Sequence, residues 1–474
     1  MSVGGDLEVV IKRITADVLD KKHSYPGISP GTKVLITMGG AVANATLSRL
    51  ASAGCKVTAL GEIDISTSSF ISPGIRVAKG SIRSPEECAK AVEGQDVVFH
   101  TGRPGSAVTV GVGAKGQSEA ATQLLDGTRN LLEAAASAGV RRFIFLSSAS
   151  VVFGGDDLVA SSDDAPYPAS HIDPVSAALA EAERAVLEAN SEQAVPSAGK
   201  PGMVTCSVRA ATVYGPGDGY LVPGLVARVR KGASVIGDGS NLVDFVFAGN
   251  VAHALVLAAE KLESSADTHA SASDRGDNPA GRAFFVTDGE PMPYGEFVRG
   301  VLAGLGYRYP DAMLPLVFAY FLAFLFRLLS IALSPVMGYE PALTTRRVAE
   351  EGRTQRFDVS GARKVLGYNP LWSSQQGLEI TLQESVSMRN PKARVKYVGP
   401  FTLEDVARHS TEDDAWIIVD GKVYDITPYL DQHPGGDSML RNAGGDSTKG
   451  FYGPQHPPQA REILDRHFIG DLQS

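Results

Sequence analysis

Short apolar runs alternate with helix-like, Ala-rich segments through the first part of the chain. The strand-like runs lie at 33–38, 55–60, 96–100, 142–147, 205–209 and 283–286. Between them lie segments such as 122–138, in which apolar residues recur at the spacing of one helix face. Strands that alternate with helices predict a parallel, doubly wound sheet, because a parallel connection requires a crossover. We therefore predict an α/β fold for this part of the chain.

The pattern also divides the chain into a large and a small part. We predict an N-terminal extension at 1–30, an α/β body at 31–389 and a linker at 390–399, which is charged and contains proline. From 400 to 474 the pattern changes to short turns and acidic helix starts, which predicts a small α+β domain. Within the body, the polar residues 264–281 are predicted to form a loop.

One stretch of the body, 312–334, is far more apolar than the rest. Residues 312–326 carry no charge, and the apolar run resumes after Arg327. The length is close to the roughly 20 residues that a bilayer core requires, but an arginine near the middle costs roughly 3 kcal/mol on insertion scales. We predict a helix or helical hairpin that lies in one leaflet, with a spanning helix as the second choice and a buried core helix as the third.

Composition narrows the classes of function. The net charge of −9 argues against a nucleic-acid partner. The cysteines, Cys55, Cys88 and Cys206, lie far apart, so they predict neither a disulfide framework nor a zinc site and are typical of a reducing compartment. Residues 1–22 carry charges throughout, which is unlike a secretory signal.

A series of motifs follows along the body. They are Asp-Val-Val-Phe-His at 96–100, Gly-Thr-Arg-Asn at 127–130, Ser-Ser-Ala-Ser-Val-Val at 147–152, Val-Tyr-Gly-Pro-Gly-Asp at 213–218, Gly-Asp-Gly-Ser-Asn at 237–241 and Leu-Gly-Tyr at 366–368. With these motifs, residues 31–383 resemble the 3β-hydroxysteroid dehydrogenase and sterol-4α-carboxylate 3-dehydrogenase branch of the extended short-chain dehydrogenases. The resemblance implies a Rossmann-like fold, an NAD(P) cofactor and hydride transfer from a sterol hydroxyl.

The same resemblance shows that two catalytic positions have changed. The family's tyrosine, which takes the hydroxyl proton, is Val175 here, and its lysine one helical turn later is Leu179. Neither side chain can exchange a proton or carry charge. Ser148 matches the family serine that polarises the substrate oxygen, but alone it has no proton acceptor. Tyr167, eight residues before Val175, is a remote candidate for a substitute base.

The dinucleotide loop of the family has changed as well. Gly39 and Gly40 remain, whereas the next two glycine positions are Val42 and Ala45. A β-branched valine is expected to crowd the pyrophosphate, and alanine is a tolerated variant. The acid that holds the ribose is replaced, although Glu62 lies close by. We expect a degenerate site formed by Gly39, Gly40, Ala45 and Glu62, and these losses argue against retained NAD(P) binding.

A second resemblance covers the C-terminal part. Its motifs are Phe-Thr-Leu-Glu-Asp at 401–405, Val-Asp-Gly-Lys-Val-Tyr-Asp-Ile-Thr at 419–427, His-Pro-Gly-Gly at 433–436 and Ile-Gly-Asp-Leu at 469–472. These motifs resemble cytochrome b5, which implies haem b with His433 and His456 as axial ligands to the iron. Two imidazoles saturate the iron, so the implied chemistry is electron transfer. His409 and His467 match no ligand position.

Three hypotheses about function follow. The first is a membrane-associated haem electron carrier whose body is catalytically impaired and binds a sterol or other lipid, or serves as a scaffold. The resemblances imply a reductase and a sterol oxygenase as redox partners, in sterol biosynthesis on the cytosolic face of the endoplasmic reticulum membrane. The second hypothesis is an active NAD(P)-dependent 3β-hydroxysteroid or sterol-4α-carboxylate dehydrogenase with non-standard catalytic residues. The third is a structural subunit of a membrane assembly.

Overall fold

The chain forms two compact units in the computed structural model. The body unit comprises Lys21–Val298 and Pro310–Leu378, and the tail unit comprises Met1–Asp20, Arg299–Tyr309 and Glu379–Ser474. The structure describes residues 8–12, 28–61, 75–102, 114–160, 162–190, 202–267, 278–337, 343–385, 388–390, 394–398, 401–412, 414–457, 460–465 and 467–473. The tail unit therefore begins further upstream than the domain boundary predicted at 389.

The elements are numbered along the chain. The strands are β1 (Glu8–Lys12), β2 (Lys33–Thr37), β3 (Lys56–Gly61), β4 (Arg76–Lys79), β5 (Val97–His100), β6 (Arg142–Ser148), β7 (Leu158–Ala160), β8 (Val204–Ala210), β9 (Thr212–Tyr214), β10 (Val235–Ile236), β11 (Leu242–Val243), β12 (Phe245–Phe247), β13 (Arg282–Val286), β14 (Met292–Pro293), β15 (Met313–Leu314), β16 (Gln355–Phe357), β17 (Arg394–Val398), β18 (Ser410–Thr411), β19 (Asp414–Val419), β20 (Lys422–Asp425), β21 (Gly445–Asp446) and β22 (Phe468–Asp471). The helices are α1 (Gly40–Ser52), α2 (Pro85–Val92), α3 (Ala114–Ala138), α4 (Pro174–Glu188), α5 (Leu221–Arg230), α6 (Ala248–Asp267), α7 (Tyr294–Gly304), α8 (Leu316–Met337), α9 (Thr345–Gly352), α10 (Ser374–Glu384), α11 (Leu403–Ala407), α12 (Thr448–Phe451) and α13 (Ala460–Asp465).

The main sheet of the body is parallel and has seven strands in the order β13-β8-β6-β5-β2-β3-β4. Each strand-like run predicted from the sequence lies in this sheet. The runs are continuously apolar because helices cover both faces, so that Val34, Leu35 and Ile36 are completely buried. The predicted doubly wound α/β class is therefore confirmed.

The polar stretch predicted as a loop at 264–281 begins later than expected. Helix α6 continues to Asp267, and residues 268–277 lie outside the described residues. The apolar stretch at 312–334 corresponds to the single helix α8. Within the part of the chain that the structure describes, no helix has both the length and the apolar character needed to cross a bilayer.

The tail unit is built on a small sheet in which β19 lies between β18 and β20, β20 pairs with β22, and β21 pairs with β19. The contacts between β19, β20 and β22 are antiparallel. The predicted linker contains β17, which pairs in parallel with β1 of the predicted N-terminal extension. The predicted α+β class of this part is confirmed.

Candidate functional site

Helix α4 carries the two changed catalytic positions of the body. The helix begins where the Asp173 carboxylate accepts hydrogen bonds from the backbone N–H groups of Val175 and Ser176 at 2.8 and 3.0 Å. Leu179 is only 2% exposed and belongs to the main core, and the half-buried Val175 packs against the same core. Both aliphatic side chains therefore contribute to packing.

Ser148 lies at the end of β6, where the sheet gives way to a short 3₁₀ turn at Ala149–Val152. Its hydroxyl oxygen accepts a hydrogen bond from the Ser150 N–H at 3.2 Å. Among the described residues, no ionisable side chain is hydrogen-bonded to Ser148. The serine therefore has no visible proton acceptor in the described part of the body.

Tyr167 is committed to a buried ion pair. Its hydroxyl donates to Glu183 Oε1 at 2.7 Å, and Glu183 also pairs with Arg209 at 2.7 Å. Burial, followed by the negative charge of Glu183, raises the pKa of Tyr167 to about 12. A phenol that stays protonated at neutral pH and already donates its proton to a carboxylate is unsuited to act as the substitute base.

The dinucleotide loop connects β2 to α1. Gly40 has φ +80°, a conformation that glycine adopts without strain, and no side chain caps the helix at Gly39. Val42 is 6% exposed and belongs to the core, and Ala45 packs against that core. Val42 therefore packs in the core, and its crowding of the pyrophosphate stays a prediction. Glu62 lies outside the described residues.

In the tail, two histidine rings face each other. His433 follows the 3₁₀ turn Thr427–Gln432, and His456 lies in the loop between α12 and α13. Their ring centroids are 5.9 Å apart. A metal held between two imidazoles separates the coordinating nitrogens by roughly 4 Å, since each metal–nitrogen bond is about 2 Å, and the ring centroids lie somewhat further apart. The observed separation fits one iron between the two rings.

The turn after His433 depends on glycine. A Cβ on Gly435 would lie 2.9 Å from His433 Cε1 and 2.7 Å from Ser438 Oγ, so the side chain is excluded by space. Gly436 has φ +53°, which favours glycine for a different reason. The Gly435 N–H donates to His433 Nδ1 at 3.2 Å. The Pro-Gly-Gly turn therefore sets the orientation of this imidazole.

The electrostatics of His433 favour a neutral ring. Partial burial lowers the pKa of His433, and the neighbouring His456 lowers it further. His456 Nδ1 is buried and has no hydrogen-bond partner among the described residues. Metal coordination requires the neutral imidazole, so both observations suit an iron ligand.

Aromatic side chains contact the two rings, and one of them connects His456 to an apolar cluster. Phe451 stacks on His456 with centroids 5.3 Å apart, and Tyr429 meets His433 edge-on at 5.9 Å. The tail cluster consists of Ala415, Ile417, Val419, Tyr424, Ile426 and Leu464, with Leu430, Met439, Leu440, Ala443 and Phe451 packed against it. Among the described residues, no three His, Cys, Asp or Glu side chains gather as a site for a bare metal ion. A porphyrin, which brings its own four nitrogens and an apolar surface, fits this donor set.

Comparison with known proteins identifies the body. Residues 54–316 match the 3-beta hydroxysteroid dehydrogenase/isomerase family. A 3beta-hydroxysteroid-dehydrogenase/decarboxylase of Arabidopsis thaliana is 35% identical over 327 residues, which cover 68% of this chain and 70% of the relative. The chain belongs to this family. A mouse sterol-4-alpha-carboxylate 3-dehydrogenase (decarboxylating) is 34% identical over 326 residues, 68% of this chain and 83% of the relative.

The tail of this 3-beta hydroxysteroid dehydrogenase family member matches a second family. Residues 402–473 match the cytochrome b5-like heme/steroid binding domain. The family description names two kinds of ligand, haem and steroid. The facing histidines, His433 and His456, are the residues that distinguish a haem site from a steroid site. The match confirms the predicted fusion of a dehydrogenase-like body to a cytochrome b5-like domain.

Solved structures confirm the fold of the body. An epimerase of Methanothermobacter thermautotrophicus superposes with a TM-score of 0.57 at 20% identity, covering 77% of this chain and 97% of that protein. A dTDP-glucose 4,6-dehydratase of Streptomyces venezuelae, solved with NAD bound, gives a TM-score of 0.55 at 18% identity over 76% of this chain and all of that protein (100%). At these identities the likeness concerns the fold alone.

Some features around the histidine pair were not foreseen from the sequence. The Asp420 carboxylate accepts hydrogen bonds from Tyr452 and Arg461, which flank the loop that carries His456. The separation of these residues along the chain gives no periodic signal. Only the fold of the tail unit brings them together.

Proposed function

We propose that the chain is a membrane-associated haem electron carrier whose dehydrogenase-like body no longer oxidises sterols at a normal rate. The observation that carries the proposal is the contrast between two sites. The catalytic positions of the body hold core-packed Val175 and Leu179, whereas His433 and His456 face each other at 5.9 Å beside Phe451, which packs on the tail cluster. The body would then bind a sterol or other lipid, or serve as a scaffold.

The impairment of the body follows from proton transfer. Removing the hydride from a carbinol requires a base for the hydroxyl proton, and a positioned base contributes roughly 10²–10⁴-fold to the rate. Neither Val175 nor Leu179 can serve, and the Tyr167 hydroxyl is held by Glu183. Ser148 can polarise an oxygen but cannot accept a proton at neutral pH. Water would remain as a weak acceptor.

The tail would hold haem through His433 and His456. When bound, haem b supplies a one-electron iron couple, and two imidazole ligands leave no open coordination position. The Gly435 turn orients the first ligand, and Phe451 stacks on the second. The tail cluster would supply an apolar surface next to the haem, with Phe451 packed against both the cluster and His456. The two histidines favour haem over a steroid as the ligand of this domain, because a steroid needs no imidazole pair.

Helix α8 supports attachment to a membrane. One side of the helix packs on a small core through Ala319 and Ala323, while Val317, Phe321 and Phe324 on the other side are 84%, 53% and 54% exposed. Apolar side chains along one exposed helix face are typical of a helix that lies in the interface of a bilayer. With the relatives named for sterol dehydrogenation, this supports association with the endoplasmic reticulum membrane, and we place the chain on its cytosolic face as part of the proposal.

The proposed partners are a reductase that supplies electrons and a sterol oxygenase that consumes them. The names of the relatives refer to 3β-hydroxysteroids and sterol 4α-carboxylates, and these names indicate the proposed substrate class. A carrier fixed to the same membrane raises its local concentration near such an oxygenase, up to about the millimolar range.

The second candidate, an active NAD(P)-dependent dehydrogenase, is favoured by family membership and by the intact Gly39-Gly40 turn. Isothermal titration of the purified full chain with NADH and NADPH, beside a haem absorption spectrum, tests both candidates. We expect a haem band and no micromolar nicotinamide binding. Nicotinamide binding with normal sterol oxidation would establish the second candidate instead.

Membrane attachment is tested by flotation with phosphatidylcholine vesicles. Phe321→Glu and Phe324→Glu are expected to release the chain, because each places a charge on the exposed face of α8. Val159→Glu is the control, since Val159 is a 65% exposed apolar residue on β7 rather than on α8. Equal flotation of all three variants and the wild type would contradict attachment through α8.

A further inference from the structure

The loop that carries His456 is fixed at both of its ends by one carboxylate. The Asp420 carboxylate accepts hydrogen bonds from the Tyr452 hydroxyl and from Arg461 Nη1, the latter at 2.9 Å. Arg461 Nη1 also donates to the Tyr452 hydroxyl at 3.0 Å. Tyr452 precedes His456 by four residues and Arg461 follows it by five. The hydrogen bonds among Asp420, Tyr452 and Arg461 therefore connect the two ends of the loop.

The backbone of Asp420 holds the same region from a third point. The Asp420 N–H donates to Thr448 Oγ1 at 3.0 Å, at the first residue of α12. Asp420 has φ +53° and is the one positive-φ non-glycine residue among the described residues. Aspartate and asparagine tolerate this conformation better than most side chains. The turn between β19 and β20 therefore contacts both the beginning and the end of α12.

Arg461 connects this surface network to the core of the tail unit. Its Nη2 donates to the Tyr424 hydroxyl at 3.1 Å, and the Tyr424 ring is buried in the tail cluster. Its Nε also pairs with Asp465, on α13, at 3.1 Å. One guanidinium thus joins the loop, the following helix and the tail cluster.

We propose that Asp420 is a positioning residue for the second haem ligand, which acts through Tyr452 and Arg461 to fix the ring of His456. The inference rests on the proposed function, because it requires haem in the tail. Exposed ion pairs contribute little to global stability. The consequence of losing the carboxylate should therefore appear in the geometry of the ligand loop, as faster haem release and a changed ligand field.

The test uses the full chain loaded with haem. Asp420→Gly removes the carboxylate and keeps the positive φ available, so it separates the network from backbone strain. Tyr452→Phe removes one hydroxyl, and Asp420→Asn is the conservative variant. Glu404→Gln is the control, because it breaks another surface ion pair, with Arg408 at 3.2 Å, elsewhere in the tail unit. The measurements are haem transfer to apomyoglobin, the midpoint potential and the electron paramagnetic resonance spectrum of the ferric protein.

We expect Asp420→Gly to release haem about tenfold faster than the control, with shifted resonance positions and an altered potential. Tyr452→Phe should show a smaller effect, and Asp420→Asn should recover part of the loss. Release and spectra equal to those of Glu404→Gln in every variant would overturn the inference while leaving haem binding intact. A wild-type chain that binds no haem would instead overturn the proposed function, and this inference with it.

Discussion

The residues on the α4 face of the body and the histidine pair of the tail differ in the chemistry that their side chains allow. Both sites lie in regions that match a known family, at 54–316 and 402–473. On α4 the side chains at the reactive positions are aliphatic, and Leu179 is 2% exposed. In the tail the reactive positions hold imidazoles, one of which has a buried nitrogen without a partner among the described residues. Family membership preserves a framework, and chemistry depends on a few positions within it.

Replacing either histidine should give the largest effect, because it removes one proposed iron ligand from the tail. His433→Ala or His456→Ala leaves one axial ligand, so we expect the absorption spectrum typical of six-coordinate, low-spin haem to disappear. His467→Gln is the matched control, because His467 contacts Tyr429 and is not part of the facing pair. An unchanged spectrum in both alanine variants would mean that other residues hold the iron.

The next largest effect concerns packing in the body. Leu179→Ala should lower the free energy of unfolding by about 2–5 kcal/mol, because it opens a cavity in the main core. Val175→Ala should cost less, since that side chain is only half-buried. Chemical denaturation of the full chain, monitored by tryptophan fluorescence, measures the free energy of unfolding of both variants. A negligible loss for Leu179→Ala would show that this side chain faces an open site.

The difference between the two sites could be predicted from the sequence to a large extent. The sheet strands are buried on both faces, so they appear as continuous apolar runs, and the histidine spacing carries its own motif. The core packing of Val42 could not be predicted, because a family position does not give the packing partners of a side chain. The helical residues 264–267 were assigned to a loop because polarity alone does not distinguish the end of a helix from a turn.

Contacts between distant residues could not be predicted. Tyr167 and Glu183 are 16 positions apart, and Asp420 and Arg461 are 41 positions apart. Neither pair shares a helix or a strand ladder, so no periodicity marks it. Their roles follow only from the fold that brings them together.

A substitution that crowds the turn after His433 should weaken haem binding, with a smaller effect than the changes at the histidines and at Leu179. Gly435→Ala places a Cβ within 2.9 Å of the imidazole, so we expect haem affinity to fall about tenfold, or about 1.4 kcal/mol. Gly445→Ala is the control, because the nearest atom to its Cβ would be 3.6 Å away. Haem titration of the full chain measures both variants, and equal affinities would show that the turn does not orient the ligand.

The smallest expected effect tests Tyr167. Tyr167→Phe removes one hydrogen bond to Glu183 and should cost about 1 kcal/mol of stability. Because the folded pKa is raised to about 12, the wild type should lose this contribution as the pH rises from its ordinary value near 10 to about 12. The phenylalanine variant should lack that pH-dependent loss when unfolding is measured across this range. Any residual NAD(P)-dependent turnover should be unchanged, whereas its disappearance would identify Tyr167 as a base.

The most direct measurement is one set of absorption spectra of the purified, haem-loaded full chain, incubated with NAD(P)⁺ and a sterol 4-carboxylate. The account predicts a low-spin haem band that responds to a one-electron reductant, and no growth of the reduced-nicotinamide absorbance. Growth of that absorbance at the rate of an active dehydrogenase, or the absence of a haem band, would contradict it.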